Sequence, residues 1–412
     1  MTSMEQHTLS VLDIPTRALQ PQYKASFALA LMFHAFKIQI FIAIERYLQL
    51  ALQSIINQPI IKISSILLTI SFSALAYSDS PIIVFPKQET PPVISHNDAA
   101  DDPAIWVNTI DVKKSLIFGT DKKSGIYVYD LDGNQLSYSA LGRINNIDLR
   151  FYNGQLHIVA SNRSISTLDY WIFDHKNLYQ YFKTNPNNAF SDSIAHHHIK
   201  TGMNVYGVCM GLTLDGISAV ITEEEGEKVQ KWNLDQLIKT DEIDITQFEK
   251  GKPVEGNEAE GCVYDDENET IFISREGDKG ILKAFSVNDF KYLQDVDSRA
   301  GEIEGDPEGV SIYKTSNKEG YLVVSSQGNS TFNLYNRKTP YQYVGTFMIL
   351  GAQGIDEVRD TDGIDVTSTP LPGYPKGMMV AQDGFNTNQK GKLFNQNFKY
   401  ISFKDVLDQI EP

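Results

Sequence analysis

Beyond about residue 80 the chain reads as short apolar runs broken by polar turns, without the three-to-four spacing of amphipathic helices. Leu116–Asp121 runs into Lys122-Lys123-Ser124-Gly125, and His157–Asn162 into Arg163-Ser164. Ser218–Thr222 leads to Glu223-Glu224-Glu225-Gly226, Thr270–Ser274 to Arg275-Glu276-Gly277, Tyr321–Ser326 to Gln327-Gly328, and Gly377–Gln382 to Asp383-Gly384. Aromatic and β-branched residues dominate these runs, which predicts strands. Ahead of each lies another strand-like run opened by a polar or acidic residue. The six openings are Asp101-Asp102-Pro103, Asn145-Asn146-Ile147-Asp148, Val205-Tyr206-Gly207, Ala259-Glu260-Gly261, Pro307-Glu308-Gly309 and Thr361-Asp362-Gly363. They recur about every 50 residues, the length of a four-stranded propeller blade. The pattern predicts an all-β fold over residues 77–412: a six-bladed β-propeller of four-stranded antiparallel blades. Its inner strands would converge on one axis and deliver their opening residues to a shared site. The Pro-rich, extended residues 77–100 are expected to supply an outer strand that closes the last blade.

The first 76 residues break the pattern. Residues 62–76 carry a Lys, a short apolar run and Ala74-Leu75-Ala76, the layout of a signal peptide cleaved after Ala76. Residues 1–61 form an N-terminal extension with a second apolar tract from Ala25 to Ile44; it reads as a start placed upstream of the true one, or as a membrane anchor. The mature chain is therefore expected in the periplasm or the medium. Formal charge is −16 for the whole chain, and no Lys/Arg cluster offsets it, which argues against nucleic-acid partners. The only two cysteines, Cys209 and Cys262, occupy inner-strand positions of successive repeats. A bridge or two separate buried thiols are both compatible with that placement, the thiols being the favoured reading. His196-His197-His198 is read as an exposed polar patch in a loop between blades.

The charged residues do change the picture, because they sit at repeat boundaries. Carboxylates brought within a few ångströms of one another need counter-charge, and Ca²⁺ takes six to eight oxygens from Asp, Glu, Asn, Gln and carbonyl groups. Histidine and thiolate are missing from the repeat ends, which disfavours zinc, copper or iron there. Lys122 and Arg163 stand at the same strand-end position of adjacent repeats, a placement suited to a phosphate bridging bound cations. No Gly-x-Ser-x-Gly elbow or phosphate-binding loop appears, so hydrolysis would use an activated water and no phosphoenzyme.

These segments resemble the β-propeller phytases, the calcium-dependent bacterial alkaline phytase family. The matching stretches, in order, are Asp98-Ala-Ala-Asp-Asp-Pro-Ala-Ile-Trp, Lys122-Lys-Ser-Gly, Asn145-Asn-Ile-Asp, Ser161-Asn-Arg-Ser, Val205-Tyr-Gly, Glu260-Gly, Ser325-Ser-Gln-Gly-Asn-Ser, Asp360-Thr-Asp-Gly-Ile-Asp-Val, Val380-Ala-Gln-Asp-Gly and Asn395-Gln-Asn-Phe-Lys. The resemblance implies a 3-phytase that takes calcium-phytate as its small-molecule substrate and holds several Ca²⁺ ions, structural and catalytic. It needs no protein partner and is expected to act as a monomer. By the same resemblance Lys122, Arg163 and Tyr206 contact phosphate, with Lys228 a candidate substitute contact. Asp101, Glu225, Glu260, Glu276, Glu308 and Gln327 form the calcium and catalytic shell. Asp356 is a structural calcium ligand, and Asp362 belongs to the last acidic motif.

Three positions depart from the family pattern. Glu224 stands where a Lys is usual, Arg275 where an acid is common, and Pro307 where an aliphatic residue is usual. The first puts one phosphate contact in question and predicts altered affinity. The alternatives to a phytase are a calcium-stabilised lactonase-type propeller and a non-enzymatic ligand-binding propeller, since a propeller by itself fixes no function.

Overall fold

The computed structural model describes residues 80–410 except 175–176, 191–194, 248–257 and 278. The N-terminal extension, the expected signal peptide and the apolar tract at residues 25–44 lie outside the described residues. Among those described, no helix is long and apolar enough to cross a membrane.

Two strands, β1 (Ile82–Val84) and β2 (Pro86–Glu89), precede the repeats. Blade one is β3 (Ala100–Trp106), β4 (Leu116–Asp121), β5 (Gly125–Tyr129) and β6 (Gln135–Ala140). Blade two is β7 (Ile144–Tyr152), β8 (Gln155–Asn162), β9 (Thr167–Asp174) and β10 (Ala195–Lys200), with a helix, α1 (Leu178–Thr184), inserted before its outer strand. Blade three comprises β11 (Val205–Thr213), β12 (Gly216–Glu223), β13 (Lys228–Asn233) and β14 (Ile238–Asp244). Blade four comprises β15 (Ala259–Asp265), β16 (Thr270–Arg275), β17 (Ile281–Ser286) and β18 (Tyr292–Asp297). Blade five has β19 (Val310–Lys314), β20 (Gly320–Ser326), β21 (Thr331–Asn336) and β22 (Tyr343–Ile349). Blade six has β23 (Ile364–Thr367), β24 (Met378–Asp383) and β25 (Asn397–Ser402), and α2 (Phe403–Ile410) follows.

Blade six is completed from the other end of the repeat region. The outer strand β2 pairs antiparallel with β25, as the extended segment before the first repeat predicts. An addition not expected from the sequence is β1, which pairs parallel with β22 as a fifth strand of blade five. The inner strands β3, β7, β11, β15, β19 and β23 each touch the next, and β23 touches β3, so the ring closes.

Six apolar clusters fill the spaces between consecutive blades. One packs Trp106 and Phe118 of blade one against Ile158 and Trp171 of blade two. The others repeat this between blades two and three, three and four, four and five, five and six, and six and one. A middle strand covered on both faces reads as a continuous apolar run, as β4 does, with all six residues buried. The outer strand β14 is mostly exposed and reads polar.

Cys209 on β11 and Cys262 on β15 form a disulfide, with Cα atoms 5.6 Å apart. The favoured reading of two separate thiols is therefore corrected. Successive inner strands run side by side toward one axis, and facing positions on them come within bridging distance. The three histidines are also corrected: they form the core of β10 and not a loop.

Candidate active site

The inner strands of blades one to four share a local irregularity. Their register slips between Ala100 and Pro103, Ile144 and Ile147, Val205 and Val208, and Ala259 and Cys262. Such a bulge sets two residues opposite one and re-aims a side chain. The residues inside the slips are Asp101-Asp102, Asn145-Asn146, Tyr206-Gly207 and Glu260-Gly261. In blades five and six, Glu308-Gly309 and Asp362-Gly363 directly precede β19 and β23. The polar openings of the sequence repeats are thus the points where the inner strand departs from regular pairing.

Hydroxyls near the end of the second strand support these departures in blades one, two, three and five. Thr120 Oγ1 accepts from the Asp102 amide at 2.9 Å, Ser161 Oγ from Asn146 at 3.0 Å, Thr222 Oγ1 from Gly207 at 2.8 Å and Ser325 Oγ from Gly309 at 2.8 Å. A buried amide without a ladder partner must be satisfied by another acceptor. The glycine after the opening residue has a steric reason. A Cβ on Gly261 would collide with the Glu308 carbonyl oxygen, and one on Gly207 with that of Glu260.

This scaffold gathers the carboxylates. Glu260, Glu276 and Glu308 each offer an oxygen within 4.8 Å of the others, an arrangement able to hold a metal ion. Lys122 Nζ lies 2.8 Å from Asp98, 3.2 Å from Asp101 and 2.9 Å from Asp362. Gln327 Nε2 donates to Asp362 Oδ1 at 3.1 Å. Asn145 Nδ2 donates to Glu260 Oε1 at 2.9 Å, and Arg163 Nη1 donates to Asn145 Oδ1 at 2.8 Å. The Arg163 guanidinium carbon sits 5.2 Å from the centroid of the Tyr206 ring. Asp101, Asn145, Glu260, Glu308 and Asp362 are all buried.

Burial of so many acids at one point perturbs them strongly. Burial, then the neighbouring Glu276 and Asp362, drives Glu260 well above its ordinary value against the pull of Lys122. Burial also raises Asp101, with Lys122 opposing and Glu260 and Asp362 adding to the rise. Glu308 is raised by burial and by Asp362, Glu260 and Glu276. Glu276 is pushed up to about 8, chiefly by burial. Burial opposes charge on Lys122, but Asp101, Asp362, Glu260 and Asp98 outweigh it and raise its pKa. Tyr206 is raised by burial and by Glu260, Glu276, Asp101 and Glu308, so its phenol keeps its proton.

The donor set fits a hard divalent cation. Asp101 Oδ1 and Glu276 Oε1 are buried without a hydrogen-bond donor, and Asp101 Oδ2 is met only by the Lys122 ammonium at 3.2 Å. Buried acceptors of this kind are costly unless something positive meets them. The three facing glutamates bring oxygen donors only.

Not every expected residue belongs to this cluster. Glu225 is exposed at φ 53° and donates its backbone amide to Glu258 at 2.5 Å. Lys228 is exposed, its amide bonded to Glu223 at 3.3 Å. Asp356 forms an ion pair with buried Lys399, and its Oδ2 accepts from Thr387 Oγ1 at 2.9 Å. The strand-end position of blade six, Asp383, also serves Lys399, at 2.5 Å, and does not join the axial ring. Glu224, at the departure from the family pattern, is ion-paired with Arg163. Arg275 is fully buried, with Nη1 donating to the Glu276 carbonyl at 2.8 Å. Asn145 and Asp98 are the structural partners that residue-by-residue reading left without a role. Their signal was adjacency: Asn145 opens a repeat, and Asp98 lies three residues before one.

A family model described as Phytase matches residues 51–412. The chain belongs to the phytase family. It is 37% identical over 344 residues to a protein described as 3-phytase from Bacillus subtilis (strain 168), covering 78% of this chain and 84% of that one. Among solved structures it is similar to an auxiliary nutrient binding protein from Bacteroides thetaiotaomicron VPI-5482, at TM-score 0.48 and 10% identity over 77% of this chain and 76% of that one. It is also similar to a chain of the COPII outer coat vertex, at TM-score 0.47 and 9% identity over 74% and 70% of the two chains. Neither likeness is close enough to bear on function. The family assignment places the acidic axial cluster in the part of the chain that the family model spans.

Proposed function

We propose that this chain is a 3-phytase that hydrolyses phosphate monoesters of phytate, with several Ca²⁺ ions held by the axial carboxylates. The observation that carries the reading is the convergence of three buried acids, Asp101, Glu260 and Glu308, and the half-buried Glu276 beside Lys122 and Arg163, in a member of the phytase family. Bound calcium would supply the positive potential that admits a polyanion to an acidic site and would activate the attacking water.

The protein groups divide the remaining work. Asp101, Glu260, Glu276, Glu308, Asp362 and Gln327 would hold the axial ions; Glu225 and Asp356, which lie outside that cluster, would serve only separate ions. Lys122 is anchored by Asp98, Asp101 and Asp362; with the latter two engaged by bound ions its Nζ would be free to contact a phosphate oxygen. Arg163 offers a forked donor set to a second oxygen, and its ring contact with Tyr206 fixes the plane. Tyr206, held protonated, donates its O–H. Lys228 is retained as a contact for a more distant phosphate of the substrate. Together Lys122, Arg163 and Tyr206 oppose the charge that develops on the equatorial oxygens during in-line displacement.

Export to the periplasm or medium as a monomer is part of the same proposal. The Cys209–Cys262 bridge supports it, because disulfides persist mainly in oxidising compartments. The test is phosphate released from inositol hexakisphosphate while calcium is titrated from zero. Release that rises with calcium and is lost in Glu276→Gln supports the proposal. Equal release in chelator and in calcium, or none at any calcium level, overturns it.

A further inference from the structure

Outside the axis, a second set of ligating side chains sits on the rim of blade two. His196 and His198 lie two residues apart on β10, so both point to one face of the strand. His197 points to the other, stacked on Tyr170 at 5.9 Å. Across the ladder, His198 pairs with Asp169 on β9 and His196 with Trp171. His198 Nδ1 lies 2.7 Å from Asp169 Oδ1, and His196 Nε2 lies 3.8 Å from Asp169 Oδ2. One ligand atom from each of the three residues falls within 4.8 Å of the other two.

We propose that Asp169, His196 and His198 form a binding site for a borderline divalent transition ion, zinc foremost, separate from the axial calcium cluster. The residue types are those a tetrahedral zinc site takes, two imidazoles and a carboxylate, with a fourth position open to water. With Zn–N and Zn–O bonds of about 2.1 Å, ligand atoms of a tetrahedral site stand about 3.4 Å apart. The two imidazoles now face different oxygens of Asp169, His198 at 2.7 Å from Oδ1 and His196 at 3.8 Å from Oδ2, so entry of an ion requires side-chain shifts that bring one ligand atom of each residue, already within 4.8 Å of the others, to that spacing.

The surroundings are those of a supported ligand set. His196 Nε2 is buried without a hydrogen-bond partner and faces the carboxylate. Its ring is clamped by stacking on Trp171 at 4.7 Å. Asp169 is buried, and both of its oxygens are oriented from behind. Thr167 Oγ1 donates to Oδ1 at 2.6 Å and Asn162 Nδ2 to Oδ2 at 2.9 Å. Outer partners of this kind fix the direction of a ligating carboxylate. Such an ion would pin β10, the outermost strand of its blade, to β9.

The test is equilibrium dialysis of the full-length protein against zinc in millimolar calcium, which keeps the hard oxygen site filled, with bound zinc measured by elemental analysis. The wild type is expected to bind one equivalent more than His196→Gln/His198→Gln, and His197→Gln to bind as the wild type does. The single variant His198→Gln, at a half-exposed side chain, should weaken binding at least tenfold, which guards against a folding defect in the double variant. Equal zinc content in the wild type and both His198 variants, or no zinc uptake by the wild type, overturns the proposal.

Discussion

Glu276→Gln should reverse its effect on stability when calcium is added. Glu276 is raised from 4.5 to about 8, chiefly by burial. A carboxyl whose folded pKa lies above its unfolded one binds its proton more tightly in the native state, so stability falls as pH rises between the two values. The penalty is absent below about pH 4.5, grows through neutrality and is complete above about pH 8. At about 1.4 kcal/mol per pH unit, it amounts to something on the order of 5 kcal/mol. Glutamine is nearly isosteric and never ionises. In chelator at pH 9 the variant should therefore melt higher than the wild type, by on the order of 10 °C. At pH 4 the two should coincide. In saturating calcium the order should invert, because the wild type alone keeps the full charge that the ions neutralise. Phosphate release should fall by two or more orders of magnitude. The measurements are melting curves at pH 4, 7 and 9 with and without calcium, beside a phosphate-release assay. A variant that is less stable than the wild type in chelator at pH 9 would show that Glu276 is not strained by its neighbours, and the account of the cluster would fail.

Three further outcomes are expected. Arg163→Ala should lower kcat/KM for inositol hexakisphosphate by about 10²–10³, the usual cost of one preorganised donor, with the melting temperature nearly unchanged in calcium; wild-type kinetics would remove Arg163 from the site. Glu224→Gln, which releases Arg163 from its ion pair, should lower KM severalfold with little change in kcat, whereas an unchanged KM would mean that the pair does not compete with substrate. Reduction of Cys209–Cys262, which closes a 53-residue separation, should cost about 4 kcal/mol on chain-entropy grounds, read as a lower denaturation midpoint under reducing conditions; an unchanged midpoint would refute that contribution.

Much of this molecule is determined locally. Six apolar double runs, each opened by a polar residue, specify six strand pairs, because a strand between two sheets must be apolar on both faces. Asp101, Glu260 and Glu308 could be picked out as axial because each opens an inner strand. The Gly after Glu260 and Glu308 marks where the backbone of the next blade passes too close for a side chain. What the sequence could not supply was any relation between blades. The Cys209–Cys262 bridge and the pairing of Lys122 with Asp362, 240 residues away, depend on how far each blade is rotated about the axis. Asp383 shows the limit from the other side. It ends its second strand as Gln327 follows its own, yet the buried ammonium of Lys399 on the adjacent β25 draws it away from the axis. Likewise His196 and His198 read as a polar patch until the ladder set His198 opposite Asp169 and His196 on the same face beside it. Strand period and burial are encoded residue by residue; the distance between charges on different strands is set only when the ring closes.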